Sequence, residues 1–142
     1  MRSDIFEILD DFFSEFPVLV AGAPQASEVD QIESFAGFQL PLEYRMFVER
    51  YGAAIVGPHS VYGVGASEAM GKYEASVIAV TERFRAEGWP GTEDTLVISM
   101  DHAGNAITLD ARGIVHRFDH DDGSTDELAS SFGMFIEKLL AR

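Results

Sequence analysis

Apolar residues in this chain change period once, and that switch constrains the fold more than any other feature. As far as about residue 87 they recur mainly at helical intervals, apart from two short extended pieces at 54–56 and 61–64. From Thr95 onward they fall into short extended blocks, 95–100, 106–110 and 114–118. The connections between blocks are Asp101-His102-Ala103-Gly104-Asn105 and Ala111-Arg112-Gly113. Links that short, built from turn-forming residues, join antiparallel neighbours, because a parallel crossover needs about a dozen residues or more. A three-stranded meander is therefore expected. A last helix over about 126–140 should follow it, burying Leu128, Phe132, Phe135, Ile136 and Leu139.

The helical part begins with Asp4 to Phe16. Ile5, Ile8, Leu9, Phe12 and Phe16 make one face, Phe6 and Phe13 lie on its flank, and Glu7, Asp10, Asp11, Ser14 and Glu15 lie opposite. Pro17 ends the helix. Ser27, with Asp30 three residues on, reads as the capped start of a second helix that buries Val29, Ile32 and Phe35 and stops at Gly37. Pro41 opens a third, whose stripe of Tyr44, Phe47, Val48 and Tyr51 ends at Gly52. Two extended pieces, 54–56 and 61–64, flank Gly57-Pro58-His59, and Gly63, Gly65 and Gly71 make this the loosest stretch of the chain. A fourth helix from about Lys72 to Glu87 carries Tyr73, Val77, Val80 and Phe84, with Gly88-Trp89-Pro90-Gly91 as its terminator. No repeat, low-complexity tract or linker divides the 142 residues, so one domain over 1–142 is expected.

Charge narrows the function. Ten Lys and Arg stand against 24 Asp and Glu, a net charge of −14. Such a surface repels phosphate backbones, which disfavours nucleic acid, and attracts basic partners at a rate that falls with salt. A plain solubility role is the competing reading. The absence of cysteine removes disulfides, thiol nucleophiles and cysteine-ligated zinc. No apolar run nears the roughly 18 residues of a membrane span, and Met1-Arg2-Ser3-Asp4 leads into an acid-studded segment unlike a secretory signal. Cytoplasmic residence, no membrane association and no cofactor are the expectations.

Several residue groups invite a chemical reading. His116 and His120 share a face if extended, with Asp119, Asp121 and Asp122 close by, and imidazole with carboxylate suits zinc or manganese. Yet the chain has no helical His-Glu-x-x-His spacing, and Asp119-His120-Asp121-Asp122-Gly123 has its glycine one residue early for a calcium loop. A solvated turn is the simpler reading, and no metal site is assigned. Gly63-Val64-Gly65 lacks the third glycine and the lysine of a phosphate loop. Ser99, Asp101 and His102 lack the Gly-x-Ser-x-Gly elbow that exposes a nucleophile, while the turn itself accounts for Asp101, Gly104 and Asn105. No catalytic residue is assigned. Trp89 is read as a cap on the core.

The order of elements and several local signatures resemble the SUKH superfamily. The matching pieces are Phe38-Gln39-Leu40-Pro41 with Tyr44 and Phe47, then Val61-Tyr62-Gly63-Val64, then the helix with Val77, Ile78, Thr81 and Phe84. Ile98 to Asn105 and Val115 to Asp121 follow, and a helix with Ser131, Phe132, Phe135 and Ile136 closes the series. Tyr51-Gly52 departs from the Asn-Gly that the family often has there. The resemblance implies an α+β fold with helices packed on a mainly antiparallel sheet. For many bacterial members it also implies an immunity role, in which the protein binds and neutralises a toxin domain, commonly a nuclease; others are regulatory. Catalysis is not implied.

The remaining candidate site is acidic. Asp119, Asp121, Asp122, Asp126 and Glu127 fall within nine residues. They read either as a solvated loop, with Asp126 capping the last helix, or as part of a protein-binding face for the Lys and Arg of a basic toxin domain.

Overall fold

The computed structural model describes residues 3–70 and 76–141, with Ser3, Asp4 and Glu68 known by backbone alone. Helix α1 (Ser3–Glu15) runs into a 3-10 turn at Pro17–Leu19 and is followed by α2 (Ala26–Ala36) and α3 (Leu42–Tyr51). A hairpin of β1 (Ala54–Val56) and β2 (His59–Val61) leads to α4 (Val77–Ala86). Strands β3 (Leu96–Met100), β4 (Ala106–Leu109), β5 (Val115–Phe118) and β6 (Thr125–Ala129) form one antiparallel sheet in chain order, and α5 (Phe132–Leu140) closes the fold. The fold is thus α+β as expected, and the meander gains a fourth strand.

That strand corrects the start of the last helix. Residues 125–129 pair with β5, and the cap of α5 is Ser131, whose hydroxyl accepts the Met134 amide at 3.2 Å, rather than Asp126. The Asp126-Glu127-Leu128 run is ambiguous by period alone, and pairing with β5 decides it. Two other boundaries move for local reasons. Helix α2 starts at Ala26, because the Glu28 carboxylate reaches back to the Gln25 amide at 2.9 Å, in place of the expected Ser27 cap. The second extended piece forms its ladder over 59–61, since register against β1 pairs Val56 with His59 across Gly57-Pro58. The expected first turn of α4, Lys72 to Ala75 with Tyr73, lies outside the described residues.

One apolar cluster draws side chains from all five helices and both sheets. Helix α1 enters it through Ile5, Phe6, Leu9 and Phe13, so its buried face is rotated toward the expected flank and leaves Ile8 and Phe16 outside. The rotation follows from Tyr51, whose ring lies 4.9 Å from Phe13 and 6.5 Å from Phe6. Its hydroxyl donates to Asp10 at 2.6 Å; burial first, then the Asp10 carboxylate, pushes it far above the usual phenol range. From α3, Glu43 accepts the Gly133 amide of α5 at 3.0 Å, 90 residues away, satisfying an N-terminal helix amide.

The crossing of Gly52 and Gly63 corrects the picture of looseness at Gly63, while Gly71 lies outside the described residues. Val64 donates to the Gly52 carbonyl at 3.0 Å, Gly22 donates to Tyr51 at 2.9 Å, and Val77 donates to Gly63 at 3.0 Å. Gly63 is there because two backbones touch, which also disposes of the phosphate-loop reading.

Helix α4 is joined to the sheet by a buried polar contact. Ladder register passes from Val97 opposite Thr108 to Ser99 opposite Ile107, so Ile98 is skipped, and beside this bulge the Val97 amide donates to the fully buried Thr81 hydroxyl at 2.9 Å. Thr81→Val keeps the volume and deletes that acceptor. It is expected to cost about 1–3 kcal/mol, the penalty for an unpaired buried donor, read as a lowered urea midpoint at unchanged slope.

Candidate protein-binding face

The meander repeats one device. Asp101 and Asp110 each end a strand and accept two amides of their own turn. Asp101 Oδ1 accepts Ala103 and Asn105, both at 2.9 Å, and Asp110 Oδ1 accepts Arg112 at 2.9 Å and Ile114 at 3.0 Å. Asp119, nine residues further on, accepts the Asp121 amide at 2.9 Å and leaves the next acceptor role to Asp122, which takes Ser124 at 2.8 Å. Each turn then closes on a glycine of positive φ, at Gly104, Gly113 and Gly123. Short local links force the strands into this shape, and the shape puts the acids at strand ends.

Two of the tips are tied together. Asn105 donates through Nδ2 to Asp101 Oδ2 at 3.0 Å, while its side-chain oxygen accepts from the His120 backbone amide at 3.1 Å and from His120 Nδ1. The His120 ring also leans on Trp89, centroids 5.4 Å apart, and Trp89 covers Phe84 and Phe118 edge-on at 4.8 and 5.7 Å. Trp89 therefore caps the core, as expected. Burial alone would raise the Asp101 pKa, but bonds from Asn105 and Ala103 and the Arg117 charge outweigh it and hold the carboxyl below its ordinary value.

Against this frame the five candidate acids divide. Asp119 and Asp122 serve as turn acceptors. Asp126 pairs with Arg117 at 3.0 Å on the neighbouring strand. Asp121 is 80% exposed, with the His120 ring nitrogen Nε2 at 3.4 Å, and Glu127 is exposed on the edge strand without an ion pair among the described residues. The structure thus brings all five onto one hairpin, β5–β6, and leaves Asp121 and Glu127 as the acids not engaged in holding it. Charges on an exposed edge strand also discourage pairing with other sheets.

The remaining chemical candidates are placed as follows. Ser99 is buried and donates to the Ser60 carbonyl at 2.6 Å, so its hydroxyl is not a nucleophile presented to a substrate. Among the described residues no three His, Asp or Glu side chains are grouped to hold a metal, and His116 lies on β5 away from the turn that holds His120. No helix among them is long and apolar enough to cross a membrane.

Sequence reasoning missed an apolar surface. Ile8, Phe16 and Val18 are exposed, although Ile8 and Phe16 were expected in the core. The available sign was width: six apolar residues on thirteen-residue α1, with Phe16 just past its end, span more arc than one helix contact can cover.

Comparison with protein families places the chain. The SUKH_5 family model, described as SMI1-KNR4 cell-wall, matches residues 5–141. No curated protein matches the chain.

Proposed function

Because the chain belongs to the SMI1-KNR4 family, we propose that it is a non-catalytic binding protein of the immunity type, which neutralises a basic toxin domain by covering its active site. The observation that carries this reading beyond the family is the charge of −14. Exposed Asp121 and Glu127 on the β5–β6 hairpin, with Asp119, Asp122 and Asp126 behind them, supply part of the field a basic partner meets. In such encounters charge sets the association rate, while a few buried contacts set the lifetime.

The test is association with a compact basic domain encoded beside the gene. A one-to-one complex is expected, with an association rate that drops on the order of tenfold or more from low to high salt. Asp121→Asn with Glu127→Gln should slow association severalfold and leave dissociation nearly unchanged, as stopped-flow fluorescence would show. An association rate indifferent to salt contradicts the electrostatic part. The cell-wall wording of the family description supports a second reading, a cytoplasmic regulatory module that binds a host protein. Housekeeping genes on both sides, with no basic toxin domain, would favour it.

A further inference from the structure

Resting on the protein-binding reading, we propose that the outer face of α1 is the centre of the interface and that it receives a basic amphipathic helix of the partner. Helix α1 has two apolar stripes. Ile5, Phe6, Leu9 and Phe13 are taken up by the core. Ile8, Phe12 and Phe16 recur every four residues along one side, with Phe12 half-buried against the core and Phe16 one residue past the helix end. Ile8 is 50% exposed and Phe16 47%, and Val18 in the 3-10 turn extends the row at 50%. Of the five large apolar side chains exposed among the described residues, these are three, so the exposure is concentrated in one place. The Phe12 ring is held between Phe13 and Phe16, centroids at 5.5 and 5.3 Å, so the surface is shaped before a partner arrives.

A row of negative charge runs beside it. Glu7, Asp11 and Glu15 each precede a member of the apolar row by one position; all three are exposed, and none makes an ion pair among the described residues. Asp10 differs, since Arg50 at 3.2 Å and the Tyr51 hydroxyl engage it in holding α1 to the fold. No Lys or Arg lies within α1.

Charge decides the occupant. A second copy would bring its own acid row and a further −14, and an anionic membrane is repelled in the same way. A cationic helix fits on both counts: its apolar ridge seats beside the Ile8-Phe12-Phe16 row, and its Lys or Arg meet the acids. At the Val18 end, a cleft with Pro17, Val20 and Ala66 contains the Ser67 hydroxyl, buried and without a hydrogen-bond partner among the described residues.

The probes are three synthetic peptides: a leucine–lysine helix of amphipathic pattern, a lysine–serine peptide of equal charge, and a leucine–glutamate counterpart. The full chain should bind the first, bind the second far more weakly and ignore the third. Ile8→Ser with Phe16→Ser should weaken the first complex at least about tenfold, while Leu42→Ser, 66% exposed elsewhere, leaves it unchanged. Circular dichroism and the urea midpoint should stay at wild-type values, because these side chains carry little of the core. Equal binding of the leucine–lysine and lysine–serine peptides overturns the proposal. If the α1 variants bind like wild type while Asp121→Asn with Glu127→Gln loses the peptide, the surface is misassigned and the protein-binding reading stands. If the wild type binds neither basic peptide nor the basic domain encoded beside its gene, both fall.

Discussion

Gly63→Ala is expected to be the most damaging added methyl among the described glycines, costing about 4 kcal/mol or more, the upper end for point substitutions. An added Cβ would stand 1.9 Å from the Gly52 carbonyl oxygen and 3.1 Å from Val48 Cγ2. The nearer atom is backbone, so no rotamer change relieves the clash. That oxygen also accepts the Val64 amide at 3.0 Å, and pushing it away breaks the bond. Gly52 cannot easily give way, because its φ is +75° and a Cβ there would lie 2.3 Å from the Gly22 oxygen. For a domain with about 5–15 kcal/mol in total, such a loss leaves much of the chain unfolded. Urea denaturation is the measurement, with Gly65→Ala as the comparison. At Gly65 the new methyl would meet, among the described residues, only Ala21 Cβ at 3.6 Å, so its cost is the strain of φ +79°, about 1–2 kcal/mol. Equal losses at the two positions would sink the argument from backbone crossing.

Asp101→Asn should give the second-largest effect, with a distinctive pH dependence. The carboxylate accepts from Ala103 and from the Asn105 backbone at 2.9 Å, accepts from Asn105 Nδ2 at 3.0 Å, and faces Arg117 at 3.8 Å. Bonds to an ionised acceptor are worth about 1.5–3 kcal/mol, and an amide would turn a donor toward these donors, so a loss of about 2 kcal/mol is expected at neutral pH. In the folded protein the Asp101 pKa lies below the ordinary 3.8, so the unfolded chain takes up the proton first on acidification. The stabilisation is therefore complete above the ordinary value and is lost as pH falls through the lower folded one. Asp122, held below 3.8 by its bonds from Ser124, acts in the same direction. The variant should start lower at pH 7 and show a shallower decline toward pH 3 in chemical denaturation. A parallel decline in both proteins would mean that Asp101 is not the group responsible.

Much of this architecture was legible from residue order. The two five-residue and three-residue links at 101–105 and 111–113 dictated antiparallel neighbours, and the stripe Tyr44, Phe47, Val48 and Tyr51 is buried as its spacing required. What failed to show were facts decided at a distance. Phe6 and Phe13 displace Ile8 and Phe16 from the core because Tyr51, about forty residues on, selects which arc of α1 turns inward. Gly63 looked slack because its partner, Gly52, is identifiable only once the chain has crossed itself. Of the candidate binding face, the acids were visible as composition. Their division into turn-holding Asp119 and Asp122, paired Asp126 and unengaged Asp121 and Glu127 depends on hydrogen bonds that no spacing encodes.

The repeated aspartate turns also set an order of assembly. Each link of the β3–β6 meander closes over a few residues and hydrogen-bonds to itself, so its ladder can form with little loss of loop entropy. By contrast, α1 is fastened by Asp10 to Tyr51 and Arg50, and α3 to α5 by Glu43 to Gly133, contacts spanning 40 to 90 residues. The nucleus is therefore expected in the C-terminal half, with α1 docking late on the formed sheet. Substitutions in the meander turns should slow folding, whereas those beneath α1 should chiefly hasten unfolding.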